Sequence, residues 1–557
     1  MDLSKKQKVR GMRLLWIVIF FLLAGTGVFL RLFYLQLICH PALAAKADRQ
    51  EFLTVDLGEM ARGIIYDRNG APITANEETA ELLIVPSLIK NVDTTVSSLC
   101  VAGGFSEELL KSRIVGINQE GKEIRKEPFI AKTDLTAGEI ANYQSMEESG
   151  IYVIPRQGRY YRDFPSQHLL GSLENTETGT SRGSSGLERI YDKLLTATGE
   201  KRLSILVDER NRAVSPGDIF LSGGDPSAAG SLSLTLDLGI QRAAEAALGD
   251  LSGAVVVLDS KSGEVLALAS SPKYDPYHVA ENAADSVYVN KAFAAYPPAS
   301  LFKIFTSAVA LDQGIVTPEM LFFCDGGYRL DNGNTVSCWK KDGHGFLTFE
   351  DALAASCNPV FVKTAQLLGK SRLEKAFDRW ELNDDRLLGY PLVEASSLKI
   401  QSSGDGELAN IGLGESGVML TPLNVAKMIN VIAAGGVLHT PQIVLSATEA
   451  DGSEYSVEGA DLPLRVISSS TAQAVTQMMV KTFQSGTAAK LNLESFHIAG
   501  KTGTSETGNV WIGGFFPYED PAYTVVILIS GGSSGAGDGG PVLKKLCAYL
   551  ANDGKSY

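Results

Sequence analysis

The sequence predicts an α+β fold in which helices cover an antiparallel sheet, with an apolar helix ahead of the folded part. Three observations support this fold class. Strand patterns lie at both ends of the C-terminal part, at 253–270 and 498–530, and helical patterns lie between them. An uncharged run from Leu14 to Leu30 stands near the N-terminus. The chain has 557 residues, of which 45% are hydrophobic, and this is enough for two or three domains.

The N-terminal segment predicts a membrane anchor. Residues 1–13 are basic and are expected to form a cytoplasmic tail, while residues 14–38 are expected to form a transmembrane helix in which Arg31 snorkels to the interface. The alternative is a cleaved signal peptide, because A-x-A patterns occur within 42–47. The length of the apolar run favours the anchor. In both cases the rest of the chain lies outside the cytoplasm.

Two domains are expected after the anchor. Residues 39–225 are expected to form a pedestal domain of short strands and helices. Alternating apolar residues in this domain flank an Asn69-Gly70 hairpin turn. This part shows no catalytic constellation, so we expect its charged residues to be solvated or structural. A Gly-rich linker at 222–230 then leads into a domain that spans 226–557.

The domain at 226–557 supplies the strands and helices of the predicted fold. A helix is expected first, then a hairpin, and near the C-terminus three strands and a closing helix. Their predicted ranges, in chain order, are 237–248, 253–259, 264–270, 498–505, 510–517, 522–530 and 541–551.

A serine and a lysine lie one turn apart at the start of a predicted helix. Pro297 and Pro298 disfavour helix before Ala299, and an apolar face with helical spacing follows, so the helix begins near Ser300. Lys303 then lies on the same flank as Ser300, where the helix dipole and burial favour a neutral amine beside a nucleophilic hydroxyl. Taken alone, this S-x-x-K pattern is more typical of a solvated helix surface.

Two further motifs make the pattern specific. Ser356-Cys357-Asn358 is followed by Pro359, which favours a helix start there and predicts that Asn358 stays outside the helix. On its own, Asn358 is more typical of a plain N-cap. Lys501-Thr502-Gly503-Thr504 falls on a predicted strand, and a P-loop is excluded because Ser495 stands where that motif needs glycine. The order S-x-x-K, S-x-N, K-T-G is typical of penicillin-interacting serine enzymes.

The chain resembles the class B penicillin-binding proteins, which are membrane-anchored peptidoglycan D,D-transpeptidases. The resemblance covers nearly the whole chain, because Arg62–Arg68 and Gly186–Glu188 match the N-terminal (dimerisation) domain of that family and the three motifs match its transpeptidase domain. Three departures are visible. Ala299 stands where the family usually has glycine, Leu413-Gly414-Glu415 only approximates Gly-Gln-Gly, and Cys357 occupies the middle of the second motif.

The resemblance implies a role for each motif residue. Ser300 would attack the bond between the last two D-alanines of a stem peptide, Lys303 would take its proton, and Ser356 would pass a proton to the leaving amine. Asn358 would hold Lys303 and the substrate amide. Three residues would bind the terminal carboxylate, Gly503 would belong to the same substrate-binding stretch, and the backbone N–H groups of Ser300 and Thr504 would form the oxyanion hole. The carboxylate-binding residues are Lys501, Thr502 and Thr504.

The resemblance also implies partners and a location. Stem peptides and β-lactams would bind the site, and the chain would be a single-pass protein of the cytoplasmic membrane with its catalytic domain outside. No glycosyltransferase-sized domain precedes the pedestal, so we expect a membrane glycosyltransferase and other cell-wall synthesis proteins as partners. The formal net charge of −14 argues against a nucleic acid.

Other functions share these motifs. A class D β-lactamase would have valine in place of Asn358, and a D,D-carboxypeptidase would use water as the acceptor. A β-lactam sensor or a non-catalytic scaffold of a cell-wall synthesis complex belongs to a different class. A sensor needs a cytoplasmic signalling part, and the intact Ser300, Lys303 and Lys501 argue against a scaffold.

Cysteine usage predicts neither a metal site nor a cofactor. The six cysteines show no C-x-x-C or Cys/His ligand spacing. Cys324, Cys338 and Cys357 all lie between the first two motifs, in an oxidising compartment. A disulfide from Cys357 to either of the other two would tether the Ser356 loop, which gives a redox hypothesis; the alternative is three buried free thiols.

Overall fold

The structure is a computed structural model, and it describes most of the chain. The ranges described are 3–38, 52–56, 62–74, 77–118, 120–133, 135–146, 148, 150–160, 164–175, 181–197, 202–206, 219–222, 229–274, 287–392, 395–402, 404–459 and 461–552. The A-x-A patterns at 42–47 and most of the linker at 222–230 lie outside these ranges.

An apolar helix forms the N-terminus. Helix α1 spans Leu3–Phe33 and continues as a π-helical turn over Tyr34–Ile38. Within the ranges described, Leu15–Ile38 is the one helical stretch that is long and apolar enough to cross a membrane, and its side chains are unburied. This matches the apolar helix predicted at 14–38.

The chain forms two compact units. The first comprises 1–59, 78–157 and 199–223, and the second comprises 60–77, 158–198 and 224–557. Two segments of the predicted pedestal, 60–77 and 158–198, therefore pack within the second unit. The domain boundary at 225 stays a prediction.

The first unit contains small sheets and short helices. One sheet has the order β1-β10-β11, another has the order β6-β3-β7, and β4 pairs with β5. The strands are β1 Phe52–Asp56, β3 Glu77–Ile84, β4 Val115–Ile117, β5 Glu123–Arg125, β6 Phe129–Lys132, β7 Ile151–Gly158, β10 Arg202–Leu206 and β11 Ile219–Ser222. The helices are α2 Val92–Gly103, α3 Glu107–Ile114 and α4 Ala137–Gln144, whose N-caps are Asn91, Ser106 and Thr136.

A five-stranded antiparallel sheet organises the second unit. Its order is β14-β13-β27-β26-β25, and every neighbouring pair is antiparallel. The strands are β13 Gly253–Asp259, β14 Val265–Ser271, β25 Ala499–Thr504, β26 Asn509–Phe516 and β27 Tyr523–Ser530. Both ends of the predicted domain therefore contribute to one sheet, as the strand patterns indicated.

Helices cover both faces of this sheet. Alternate residues of a strand point to opposite faces, so Val255 and Val256 of β13 belong to two different apolar clusters. One cluster contains side chains of α8 and α15, and the other contains side chains of α9, α13 and α14. The helices are α8 Leu238–Leu248, α9 Phe302–Asp312, α13 Pro422–Ala433, α14 Ser469–Gln484 and α15 Gly540–Asn552. Burial on both faces explains why β13, β14, β26 and β27 are largely apolar, whereas the edge strand β25 carries polar residues.

The second unit also contains further helices and a set of short strands. The helices are α5 Gln167–Leu170, α6 Gly186–Ile190, α7 Asp192–Leu195, α10 Phe349–Ala354, α11 Asn358–Arg379 and α12 Asp405–Leu413. The strands are β2 Ile65–Tyr66, β8 Leu173–Asn175, β9 Ser181–Gly183, β12 Ser231–Leu234, β15 Leu321–Cys324, β16 Gly327–Arg329, β17 Thr335–Ser337, β18 Gly345–Thr348, β19 Ser397–Leu398, β20 Val418–Met419, β21 Val437–Leu438, β22 Val444–Thr448, β23 Glu454–Tyr455 and β24 Leu464–Arg465.

A buried ion cluster joins the two early segments of the second unit. Glu188 is fully buried and lies between two arginines, with 2.8 Å to Arg62 Nη2 and 2.5 Å to Arg159 Nε. Arg159 also donates to the carbonyl of Gly63 at 2.6 Å. A carboxylate held this way is structural, because two guanidinium groups and burial leave it no access to a substrate.

Candidate functional site

Ser300 lies at the entrance to helix α9, in a 3₁₀ turn over Ala299–Leu301. The preceding residue, Ala299, has φ of 51°, which is the left-handed region that favours glycine. Its N–H donates to the carbonyl of Gly414 at 2.8 Å, and this bond holds the turn in place. The backbone at position 299 therefore has the conformation that glycine favours, although the residue is alanine.

Gly503 lets strand β25 approach this turn closely. A Cβ atom at Gly503 would lie 3.2 Å from the Ser300 nitrogen and 3.0 Å from Cδ1 of Leu301. With a side chain at this position, the neighbouring atoms would have to move by a few tenths of an ångström. The backbone N–H of Ser300 is thus next to the strand that carries the third motif.

Lys303 is fully buried and donates three hydrogen bonds. Its ammonium lies 2.8 Å from Oδ1 of Asn358, 3.1 Å from the carbonyl of Ser356 and 3.3 Å from Oγ of Ser356. Burial lowers the pKa of Lys303 to about 8, although Cys357, Cys338 and Glu415 raise it. A lysine in this environment exchanges a proton near neutral pH.

Ser356 connects the nucleophile to the lysine. Its hydroxyl donates to Oγ of Ser300 at 3.0 Å, and its Oγ accepts from Lys303. Ser356 also has a left-handed backbone, with φ of 54°. Among the residues that the structure describes, Ser300 and Lys303 share no direct hydrogen bond, so the path between them runs through Ser356.

Asn358 lies at the start of helix α11. The prediction that Asn358 stays outside the helix is wrong, because α11 begins at Asn358 and Cys357 is its N-cap residue. Pro359 occupies the first turn, as expected. The amide of Asn358 still reaches the site, since Oδ1 accepts from Lys303 and Nδ2 donates to the carbonyl of Ser337 at 3.1 Å.

The third motif lies on β25, which is an edge strand. Lys501 is fully buried, its ammonium lies 3.0 Å from the carbonyl of Thr502, and both burial and nearby Lys303 lower its pKa. The Thr502 hydroxyl is 2.7 Å from that of Thr487, and the Thr504 hydroxyl accepts from the N–H of Gly535 at 3.2 Å. Thr504 is exposed, so its hydroxyl stands at the open edge of the site.

Glu415 is a charged group that the sequence patterns did not assign to the site. Burial raises its pKa to about 7, and its carboxylate accepts from the N–H of Glu506 at 3.4 Å. Its neighbour Gly414 holds the Ala299 turn, which places Glu415 near the nucleophile. A carboxyl group with this pKa changes charge in the same pH range as Lys303.

The three cysteines between the first two motifs come together beside Ser356. Cys324, Cys338 and Cys357 are buried free thiols, and Sγ of Cys338 is 3.5 Å from Nδ1 of His344. The sequence patterns singled out the cysteines and missed His344. A search for Cys and His without a fixed spacing would have included it. The disulfide hypothesis stays a prediction.

These groups form a continuous polar chain around one hydroxyl. Hydrogen bonds link the Ser300 hydroxyl to the Ser356 hydroxyl and the Ser356 hydroxyl to the buried amine of Lys303. The same amine is bonded to Asn358. As observed, both hydrogen bonds point from Lys303 toward Ser300. With a neutral Lys303 the two hydroxyls reverse direction, and such a chain is suited to pass a proton from a hydroxyl to the amine and back to a leaving group. The geometry fits covalent serine catalysis of acyl transfer.

Two family models match the chain. Residues 253–548 match the penicillin binding protein transpeptidase domain, and residues 59–216 match the penicillin-binding protein dimerisation domain.

Curated relatives are similar over most of their length. Stage V sporulation protein D of Bacillus subtilis is 26% identical, over 96% of this chain and 85% of the relative. Peptidoglycan D,D-transpeptidase MrdA of Escherichia coli K12 is also 26% identical, over 92% of this chain and 89% of the relative.

Solved structures share the fold. Penicillin-binding protein PBP2 of Helicobacter pylori superposes with a TM-score of 0.69 at 22% identity and covers 90% of this chain and 100% of that chain. A chain from a peptidoglycan synthase complex, described as coordinating polymerization and crosslinking, gives a TM-score of 0.69 at 22% identity, over 98% of this chain and 99% of that chain.

Proposed function

This chain belongs to the class B penicillin-binding proteins, and from that premise we propose that it is a serine-type peptidoglycan D,D-transpeptidase. The observation that carries the proposal is the hydrogen-bond chain from Ser300 through Ser356 to the buried Lys303. Curated relatives named peptidoglycan D,D-transpeptidase support the same activity.

The first half of the reaction is acylation of Ser300. The Ser300 oxygen attacks the carbonyl carbon between the last two D-alanines of a stem peptide, and its proton passes through the Ser356 hydroxyl to neutral Lys303. The C–N bond then breaks, and D-alanine leaves after its nitrogen takes a proton back from Ser356. Burial supports this role for Lys303, because an amine that is neutral near pH 8 is an effective base.

The backbone and the third motif stabilise the donor peptide. Backbone N–H groups of Ser300 and Thr504 bind the developing oxyanion, and the closeness of Gly503 to the Ser300 nitrogen supports this arrangement. Thr502 and Thr504 bind the terminal carboxylate together with Lys501, and the bound carboxylate favours the charged form of this lysine, which burial by itself disfavours. Asn358 holds Lys303 in position while it also contacts the substrate amide.

The second half is transfer to an acceptor. An amine of a neighbouring stem peptide attacks the ester carbonyl, a new amide bond forms, and Ser300 regains its proton. A β-lactam is attacked in the same way, but its ring opens without releasing a fragment, so the ester persists. The β-lactam sensor and scaffold functions lack such support, since every group of the proton path is present and connected.

The location and partners follow from the anchor. We infer that Leu15–Ile38 spans the cytoplasmic membrane once and that the chain after this helix lies outside the cytoplasm. The likeness to a chain of a peptidoglycan synthase complex supports cell-wall synthesis proteins as partners, and a membrane glycosyltransferase is the partner that would supply the glycan strands.

Labelling with a fluorescent penicillin tests this function. The 557-residue chain is purified in detergent, labelled, and measured by intact mass beside Ser300→Ala. Ser307→Ala is the matched control, because Ser307 is a buried serine of the same helix. We expect one long-lived adduct in the wild type and in Ser307→Ala, and none in Ser300→Ala. Rapid loss of the adduct would indicate a β-lactamase, and an equal adduct in Ser300→Ala would disprove the proposed nucleophile.

A cross-linking assay then separates a transpeptidase from a carboxypeptidase. Donor and acceptor stem peptides are supplied together, and the products are resolved by mass. A cross-linked dimer supports the proposed reaction. Release of D-alanine without any dimer would assign the chain to the carboxypeptidases.

A further inference from the structure

A glycine-rich loop connects strand β27 to helix α15 and lies against the strand of the third motif. The loop spans 531–539, and its second half forms a π-helical turn over Gly535–Gly539. None of the three motifs includes this loop. Its N–H at Gly535 nevertheless bonds to the hydroxyl of Thr504, which stands at the open edge of the site.

Glycine at position 535 lets the loop backbone lie directly on the strand backbones. A Cβ atom there would lie 2.7 Å from the carbonyl oxygen of Trp511 and 2.8 Å from that of Gly503. Both atoms belong to main chain that is fixed by the pairing of β25 with β26. The position of the loop and the position of the third motif are therefore coupled.

We propose that this loop orients the Thr504 hydroxyl toward the carboxylate of the donor peptide, and that Asp538 is the positioning residue that holds the loop. The inference rests on the proposed transpeptidase function, in which Thr504 binds the terminal carboxylate. It adds to that function the groups that give the Thr504 proton its direction.

The hydroxyl of Thr504 is prepared to donate to an anion. A threonine hydroxyl has one proton to donate and two lone pairs that accept. The Gly535 N–H donates to Oγ1 of Thr504 at 3.2 Å, so it occupies a lone pair and directs the proton away from the loop. Within the described part of the chain, this oxygen takes part in no other hydrogen bond. A carboxylate suits such a donor, because hydrogen bonds to charged groups are the strong ones.

Asp538 holds the peptide group that supplies this N–H. The backbone N–H of Asp538 donates to the carbonyl of Ser534 at 2.9 Å, and that carbonyl shares its peptide group with the Gly535 N–H. The carboxylate of Asp538 accepts from the N–H groups of Ser533 and Ser534 at 2.7 and 2.9 Å. These two bonds lower the pKa of Asp538, which keeps the carboxylate charged at neutral pH.

The composition of the loop explains why it needs such a residue. Five of the nine residues at 531–539 are glycine, and glycine gives a backbone many accessible conformations. Without the Asp538 carboxylate, the Gly535 N–H would no longer keep one direction. The Thr504 hydroxyl would then rotate, and substrate binding would have to order it.

Acylation by penicillin and by penicillin methyl ester tests the role of the loop. The 557-residue chain is purified in detergent, and the second-order acylation rate is measured with each compound. For Asp538→Ala we expect acylation by penicillin to slow about tenfold and acylation by the ester to change less than about twofold, because the ester has no charged carboxylate. Equal slowing with both compounds would indicate a merely structural effect and would overturn the proposal, as would an unchanged rate with penicillin.

Two further variants control this experiment. Asp520→Asn changes an exposed acid that pairs with Lys261, and it should keep the wild-type rates. Asp538→Asn keeps one side-chain oxygen as an acceptor, so its penicillin rate should lie between those of the wild type and Asp538→Ala. Thermal unfolding checks the fold of each protein. A rate for Asp538→Asn below that of Asp538→Ala would contradict the role of the accepted N–H bonds.

A double-mutant cycle shows whether Asp538 acts through Thr504. Thr504→Val removes the hydroxyl and keeps the shape of the side chain. In this background Asp538→Ala should change the penicillin rate by less than about twofold, because the group that it positions is already gone. A further tenfold loss would mean that Asp538 acts on the reaction by another route, and it would refute the proposal.

Equilibrium binding separates this inference from the proposed function. Ser300→Ala lacks the proposed nucleophile, so ligand-observed NMR measures recognition without acylation. We expect penicillin to bind Ser300→Ala/Asp538→Ala about tenfold more weakly than Ser300→Ala, and the ester to bind both equally. Equal binding of penicillin by the two proteins would refute the role of the loop. Absence of a Ser300 adduct in the wild type would refute the transpeptidase proposal and would leave this binding difference unchanged.

Discussion

The hydroxyl of Ser356 donates a hydrogen bond of 3.0 Å to the hydroxyl of Ser300, although the two residues lie 56 positions apart in the chain. The same Ser356 oxygen accepts from buried Lys303, so one side chain contacts both the nucleophile and the proposed base. This relationship supports the proposed role of Ser356 in both proton transfers.

Removing the Ser356 hydroxyl should interrupt the proton path. For Ser356→Ala we expect acylation by penicillin to fall by about 10²-fold or more, because general acid–base catalysis contributes factors of that size. Stopped-flow labelling measures the rate, and thermal unfolding checks the fold. Ser307→Ala should keep the wild-type rate, and acylation of Ser356→Ala at that same rate would argue for direct transfer from Ser300 to Lys303.

The acylation rate should depend on pH through Lys303. The amine accepts a proton only when it is neutral, and its pKa is lowered to about 8, so the rate should rise as pH increases through about 8. Glu415 raises this pKa, so Glu415→Gln should move the midpoint to lower pH. The measurement is the second-order acylation rate against pH for both proteins, and a wild-type rate that falls as pH rises through this range would exclude Lys303 as the base.

Ala299 should tolerate glycine and reject a branched side chain. The left-handed backbone costs alanine about 1–2 kcal/mol. Glycine removes this strain but loses about 0.5–1 kcal/mol through chain entropy. For Ala299→Gly we therefore expect the free energy of unfolding to change by less than about 1 kcal/mol. Ala299→Val should lose clearly more, because this buried position has no space for a β-branched residue. Denaturant unfolding measures the free energy of unfolding of both variants. Equal values would contradict the claim that the backbone at Ala299 is strained.

A side chain at Gly503 should disturb the nucleophile without unfolding the protein. Its Cβ would lie 3.2 Å from the Ser300 nitrogen, so for Gly503→Ala we expect acylation to slow by about tenfold or more as the turn shifts. Gly138→Ala is the control, because its Cβ meets nothing within 4 Å. Equal acylation rates in the two variants would show that the turn adapts without loss.

The buried ion cluster should contribute strongly to stability. For Glu188→Gln, which leaves Arg62 and Arg159 without their shared carboxylate, we expect a loss of about 3–5 kcal/mol. Glu123→Gln breaks an exposed pair with Arg125 and should cost less than about 1 kcal/mol. Urea unfolding measures both, and similar losses would mean that burial adds nothing to the first cluster.

The fold class could be predicted because its signals are local. Strands β13, β26 and β27 and helices α8 and α15 lie within one or two residues of the predicted ranges, since apolar periodicity and turn residues determine them. The apolar N-terminal helix was equally evident. The start of α11 was misjudged, because the sequence shows a proline in the first turn but does not show which neighbouring residue is already helical.

The sequence by itself determined the three motifs, and with them the predicted nucleophile, its neighbouring lysine and the expected family. Only the tertiary structure decided how these groups connect. Ser356 stands between Ser300 and Lys303, Glu415 approaches the site, and His344 joins three cysteines. The motifs alone do not show how these groups touch, because each contact depends on segments that are distant along the chain. Packing around the central sheet brings them together, and burial there sets the pKa of Lys303.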